Sequence, residues 1–282
     1  MIQLKKWTRI KRQINQSTEL KVGLFFLLIL VLIAIFADVI ATHDPTFLND
    51  DLLAPPSRTY LFGTDALGRD LFSMVILGTR TSLSIGLIAA LISNLLGIII
   101  GAIAGYYGGW FDRLIAEVIN VFMMVPTFFL IIIVVALYGS SILNIILVIA
   151  LTSWTGAARM MRSQVIALKE RTFIKSLITL GESDWRIITR HIVPNGIYPI
   201  ITSAASSVSG AILYESALSF LGLGDPLQPS WGRIVYNGKS YLTRAWWVAL
   251  FGGLFLVITV YAFHLIAEGF NQISNPLRQE EL

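Results

Sequence analysis

The most constraining feature of this chain is its first long apolar run, "VGLFFLLILVLIAIFADVIA" at residues 22–41. About 20 such residues wound as a helix cross the hydrocarbon core of a bilayer, and few other environments accept a segment so apolar. The run follows a basic leader, "KKWTRIKR" at 5–12. It is long for a secretory signal, and no clear small-x-small cleavage site follows it, so an uncleaved anchor is expected. Five more candidate spans lie at about 83–106, 114–138, 142–158, 196–221 and 246–267. The fifth is rich in Ser and Ala, which points to burial among helices rather than contact with lipid. The sixth opens on Trp246 and Trp247, the aromatic pair typical of a membrane–water interface.

Six spans place both termini on one side, and the basic residues say which. Of 21 Lys and Arg, fifteen fall on the side of the termini: six in 1–21, Arg113, seven in 159–190, and Arg278. The other six lie in two long loops, Arg58, Arg69 and Arg80 in the first and Arg233, Lys239 and Arg244 in the last. The excess makes the termini cytoplasmic. The net charge of +4 and pI near 9.4 are therefore a topological signal, and nucleic acid is not an expected partner. Charged residues are only 13% of the chain, against about 25% in soluble domains, which also makes lipid its main surroundings. The absence of cysteine excludes disulfides, thiolate metal sites and cysteine nucleophiles.

Between the spans, "THDPTFLNDDLLAPPSRTYLFGTDALGRDLFS" (42–73) is too long for a turn. Its Pro pair and Gly-Thr-Asp chemistry predict an ordered excursion ending in a short amphipathic helix near 70–77. Gly97, Gly101 and Gly105 recur every four residues on one face of the second span, allowing close approach by a helix of this chain or of another subunit. Pro126 predicts a kink in the third span. Glu117, Glu215 and His264 are the ionisable groups deepest in the spans, with Asp38 and Glu268 near ends. For Glu215 a hydrogen-bonded role between helices is weighed against direct substrate contact. His264 has no acidic or His neighbour one turn on except Glu268, so no metal site is expected. "NGKSY" (237–241) ends like a phosphate-binding loop, but Arg233 stands where the first glycine is required.

The passage "IKSLITLGESDWRIITRHIVPN" (174–195) is polar and basic in an apolar chain. Ile174, Leu177 and Ile178 form one apolar face, Gly181 is placed to end that helix, and Ser183 with Asp184 to cap the next. Trp185, Ile188 and Ile192 give a second stripe beside Arg186 and Arg190. A helix, turn and helix on the cytosolic side is expected, packing on the bundle or entering a partner's groove. A DNA-reading version would require a soluble dimer.

This passage resembles the coupling segment of permeases in ATP-binding cassette importers for dipeptides, oligopeptides and nickel. The family's usual pattern is Glu-Ala-Ala, three residues, Gly, and later Pro. Gly181, Pro194 and Asn195 match, whereas Lys175, Ser176 and Leu177 replace Glu-Ala-Ala. "FGTDALGRDLFS" (62–73) and "ESALSFLGLGDPLQPSWG" (215–232) resemble signatures of the C-type subunit.

The resemblance implies an all-α integral membrane protein with six transmembrane helices in the type I importer permease fold. Residues 1–80 would hold leader, first span and outer loop, and 81–282 a five-helix core with coupling segment 159–195. Implied partners are a second, B-type permease, two cytoplasmic ATPases that bind ATP and Mg, and an extracytoplasmic substrate-binding protein. The location would be a bacterial or archaeal cell membrane. This subunit would carry no catalytic residue and no cofactor, and would pass peptides, or alternatively nickel chelates, by alternating access.

Lys175, Ser176, Leu177, Gly181, Ser183, Asp184, Trp185, Arg186, Arg190 and Pro194 would couple to an ATPase. Gly63, Asp65, Gly68, Arg69, Asp70, Trp231, Gly232 and Tyr236 would form an outer roof that receives the binding protein. Asn120, Met124, Ser207, Tyr214 and Glu215 are candidates to line the pathway. A secondary transporter or channel without ATPases predicts an inverted repeat or a chain of buried ionisable groups, and neither is visible.

Overall fold

A computed structural model describes residues 17–274, leaving the basic leader and Arg278 outside the described residues. These residues are helical apart from loops and one isolated antiparallel bridge, Thr64 to Asp70. Helix α1 is Thr18–Ile35 and α2 Ala37–Ile40; α3 is Leu71–Tyr107, α4 Gly109–Met124, α5 Thr127–Tyr138 and α6 Ile142–Lys169. Then come α7, Thr172–Thr179, α8, Asp184–Gly196, α9, Tyr198–Phe220, α10, Trp231–Gly238, and α11, Trp247–Ser274. Four of these helices are long and apolar enough to cross a membrane, and six spans result if α4 with α5 and α8 with α9 each count as one.

The expected helix at 70–77 and the span at 83–106 prove to be one continuous helix, α3. Asp70 caps it by accepting from the Ser73 amide (3.0 Å) and hydroxyl (2.6 Å). The polar stretch that follows, "GTRTS", stays helical because its side chains find partners. Thr79 donates to the Val75 carbonyl, and Arg80 reaches the Ala34 carbonyl (2.9 Å) and Asp38 (2.9 Å). At Pro126 the expected kink is a break, with α4 and α5 meeting at 83°. Proline supplies no amide to the ladder and forces Val125 into extended backbone (φ −90°, ψ 125°). Helix α6 continues past 158 to Lys169 because Met161 and Val165 keep the apolar face going, both fully buried.

The chain forms two compact units. The first holds residues up to Gly86, a short piece at Ser140–Ile142, and Ala205 onward. In it α1 packs on α11 through glycines. A β-carbon on Gly23 would lie 2.8 Å from the Ala262 carbonyl oxygen, and one on Gly269 2.6 Å from Leu20. The second unit holds Leu87–Gly139 and Leu143–Ala204. There the glycine stripe packs on α6: a β-carbon on Gly97 would sit 2.5 Å from that of Ala157 and 2.7 Å from the Trp154 carbonyl oxygen. Of the two helices the stripe could have met, it meets one of its own chain.

Candidate functional site

The polar passage folds as α7, a turn and α8 in the second unit. Ile174 is buried, Leu177 packs beside it, and Ile178 turns outward rather than joining their face. Gly181 stops α7 with φ +75°. Its amide donates to Ile178 (3.0 Å) and that of Glu182 to Leu177 (3.1 Å), the two bonds of a Schellman motif. Nothing lies within 4 Å of where a Gly181 side chain would begin, so glycine is required there by backbone angle alone.

Ser183 occupies the cap position of α8 without a side-chain cap bond; its carbonyl accepts from Arg186 and Ile187. Residues Ile187–Ile192 wind as a π-helix, with the Val193 amide bonded to Ile188 five residues back. Pro194 follows; it offers no amide to the carbonyl of Arg190, and the wider turn accommodates that loss. This winding corrects the expected stripe. Ile187, Ile188 and Ile192 enter a cluster with Ala102, Tyr106, Met161, Val165 and Ile174, while Trp185 is 69% exposed.

Lys175, which stands where the resemblance leads one to expect Glu, pairs with Glu170 of this chain at 2.8 Å. The Lys175 hydrogen bond holds the Glu170 carboxyl below its ordinary range. Ser176 donates to the Thr172 carbonyl (3.0 Å), Arg186 pairs with Glu182 (2.6 Å), and Arg190 and Pro194 are exposed.

Four residues not singled out in the sequence tie the ends of the neighbouring helices together, and one of them, Tyr106, reaches this passage. The Tyr106 hydroxyl donates to Asp184 (2.6 Å), and the Tyr106 carbonyl accepts from Lys169 (2.5 Å), whose ammonium also lies 5.2 Å from the ring centre. One turn beyond the Gly108 and Gly109 bend, Asp112 takes both arms of Arg162, 2.5 and 2.6 Å. Two signals were present: the "YYGG" end of the glycine stripe, and basic residues seven apart, Arg162 and Lys169, on the extension of the fourth span.

The outer-loop residues gather in the first unit. Asp65 accepts from Arg69 Nε (2.8 Å) and Nη2 (2.6 Å), and its other oxygen from the Leu67 and Arg69 amides. Gly63 and Gly68 have φ +78° and +75°. A β-carbon at Gly63 would meet the Trp247 ring at 2.8 Å, and Trp247 donates to the Thr64 carbonyl (3.3 Å). Asp70 is buried, with Thr42 (3.1 Å) and His43 (3.5 Å) beside it. Trp231 is 0% exposed, its indole donating to the Val75 carbonyl (3.3 Å) and its amide to Ser82 (3.2 Å). Gly232 lies against Ser216, and the half-buried Tyr236 ring holds Lys239 at 4.1 Å. Trp231 and Gly232 thus build the interior of this element; its accessible face comes from neighbours such as Tyr236.

Among the pathway candidates, Asn120 is exposed and accepts from Arg159 (3.3 Å), and Met124 is exposed at the break after α4. In the first unit, Ser207 and Tyr214 are half-buried. Glu215 is 1% exposed and accepts from Ser219 (2.7 Å) and Ser216 (3.3 Å); Ser219 in turn lies 3.4 Å from Ser230, the cap of α10. His264 and Glu268 face outward on α11, and no group of three His, Asp or Glu among the described residues is placed to hold a metal.

Comparison with known proteins bears on the family and the fold. Residues 97–279 match the family described as binding-protein-dependent transport system inner membrane component, and residues 20–56 match the N-terminal TM domain of oligopeptide transport permease C. The chain is 40% identical over 273 residues to the glutathione transport system permease protein GsiD of Shigella flexneri serotype 5b (strain 8401), covering 96% of this chain and 89% of that one. Identity to GsiD of Escherichia coli O6:K15:H31 (strain 536 / UPEC) is 38% over the same shares. A solved structure of the inward-facing MetNI methionine ABC transporter superposes with TM-score 0.56 at 15% identity, over 72% of this chain and 97% of that chain. The fold is that of the type I importer permeases, and the chain is a multi-pass membrane protein that belongs to the binding-protein-dependent transport system inner membrane components.

Proposed function

We propose that this chain is the C-type permease of an ATP-driven importer and that its cargo is short peptides. The observation that carries the cargo is the 40% identity to a glutathione permease across 96% of the chain, glutathione being itself a short peptide. The match of residues 20–56 to an oligopeptide permease domain points the same way, and nickel chelates are the less favoured cargo. A B-type permease completes the channel, an outer binding protein delivers the cargo, and two cytoplasmic ATPases hold ATP and Mg. The subunit itself performs no covalent chemistry and needs no cofactor. Residues 1–80 serve as anchor and outer loop, and 81–282 as the core, with 159–195 coupling it to ATP hydrolysis.

Three features support the coupling role: an exposed Trp185, a turn set by Gly181, and an isoleucine-anchored rear face. Rigid-body movement of such an element is a known way to switch a site between two faces. In the roof, the Asp65–Arg69 pair and the buried Trp231 make a firm platform for a docking protein. Asn120, Met124, Ser207, Tyr214 and Glu215 remain the proposed pathway residues.

The test is reconstitution of the complete complex in proteoliposomes with its binding protein. Uptake of labelled glutathione or dipeptides that requires ATP on the ATPase side is expected. Uptake without ATP would return the secondary-transporter reading, and ATP-dependent uptake of nickel but no peptide would reverse the choice of cargo.

A further inference from the structure

Tyr106 joins three helices. It stands one residue before the end of α3, its hydroxyl reaches Asp184, the first residue of α8, and its carbonyl takes the Lys169 ammonium at the end of α6. The ring is 4% exposed within the isoleucine cluster, with Tyr107 edge-on at 5.4 Å. Its position and tilt are therefore fixed by packing, and the hydroxyl has little freedom to choose another partner.

Hydrophobic contact alone would hold α8 against the cluster, but such contact is non-directional and tolerates sliding and rotation. A hydrogen bond of 2.6 Å to a carboxylate is directional and stronger than a neutral one. The neighbouring Arg186–Glu182 pair closes within the turn itself, four residues apart, and cannot orient α8 against the spans. Asp184, by contrast, is bound by a residue 78 positions earlier in the chain. The Lys169 ammonium at the carbonyl end of α3 also opposes the helix dipole there, so the clasp is held from both sides.

We propose that Tyr106 is a positioning residue for coupling. Its bond to Asp184 fixes the register of α8 against α3, so that displacement of the exposed face of the coupling passage moves α3 with it. This inference rests on the proposed importer function for its consequence, although the tether itself is a property of the chain.

Two measurements on the full-length protein separate those parts. The chain has no cysteine, so Thr189→Cys on the exposed side of α8 gives a single spin-label site. In the purified wild-type background the label should show restricted motion. Tyr106→Phe, which keeps the ring and its packing, and Asp184→Ala should both loosen it, whereas Asp184→Asn, which still offers a neutral acceptor oxygen, should loosen it less. In the reconstituted complex Tyr106→Phe should raise ATP hydrolysed per peptide imported by about tenfold, the factor for losing one hydrogen bond to a charged group. Asp184→Ala should raise the ratio comparably, and Tyr106→Phe combined with Asp184→Ala should be no worse than either alone.

A label unmoved by Tyr106→Phe, or an unchanged coupling ratio accompanied only by a lower melting temperature, would overturn the proposal. A loosened label in a complex whose wild type imports nothing with ATP would leave the tether standing and remove the transport function.

Discussion

At Gly181 a single backbone angle decides whether the proposed coupling passage has its shape. With φ +75° and open space around it, the cost of a side chain there is conformational, about 1–2 kcal/mol for a β-branched residue. Gly181→Val should thus insert and assemble but lose most ATP-coupled uptake, because the Schellman bonds that aim α8 cannot form. Gly181→Asn, which tolerates left-handed backbone, should retain it; equal uptake by the Val variant would reduce the turn to a surface loop. Lys175 poses the opposite case, since it is exposed and already paired with Glu170. Lys175→Glu should shift the melting temperature by no more than about 2 °C, as expected for an exposed pair, yet reduce copurification of the ATPases by placing two carboxylates together. Because Glu170 titrates below its ordinary range, its pairing with Lys175 should persist on mild acidification and fade only as pH falls through that lowered value. Gly181 was legible in the sequence because glycine before a fresh capping residue has few other uses. Tyr106 was not, because an aromatic at the end of a span is ordinarily read as an interface anchor.

Among the elements, the spans were legible and their ends were not. Apolar runs mark where a helix must be, but a helix ends where its carbonyls and amides find other partners. A helix also runs on through a polar stretch where its side chains find partners remote in sequence, as Arg80 in α3 finds Asp38 and Arg162 in α6 finds Asp112. The π winding of α8 was hidden for a related reason, since a 3.6-residue period assumed in advance assigns Trp185 to the buried face in place of Ile187. The glycine stripe showed that a backbone would approach, and the fold shows it is that of α6. Gly97→Leu should therefore destabilise the chain by about 1–3 kcal/mol, because the nearest atoms include the Trp154 carbonyl oxygen and the Ala158 amide, which cannot move aside. Gly156→Ala is the control, having nothing within 4 Å, and should melt no lower than wild type. Thermal unfolding of the purified proteins in one detergent compares them, and equal losses for both would deny that the α3–α6 contact is tight.

For the whole molecule, the proposed orientation rests on charge and on where ATP is found. Fifteen of 21 Lys and Arg lie on one side of the expected spans, and seven of those fifteen lie in the coupling passage and the end of α6. Each costs about 2.5–3.5 kcal/mol to place at a membrane centre, so translocating that passage is strongly disfavoured, while the outer loop carrying Arg58, Arg69 and Arg80 is lightly charged. A passage that answers to ATPases must also face the compartment that holds ATP. Both conditions argue for one proposed orientation, which puts the termini and α7–α8 in the cytoplasm and the 42–70 loop outside. Ser57 in that loop and Ser176 in α7 are exposed, so cysteines placed there singly are open to reagent in this cysteine-free chain. In right-side-out vesicles a membrane-impermeant maleimide should label Ser57→Cys and spare Ser176→Cys, and in inverted vesicles the reverse. Labelling of Ser176→Cys from outside would place the coupling passage away from any ATPase, and the importer mechanism would fail with it.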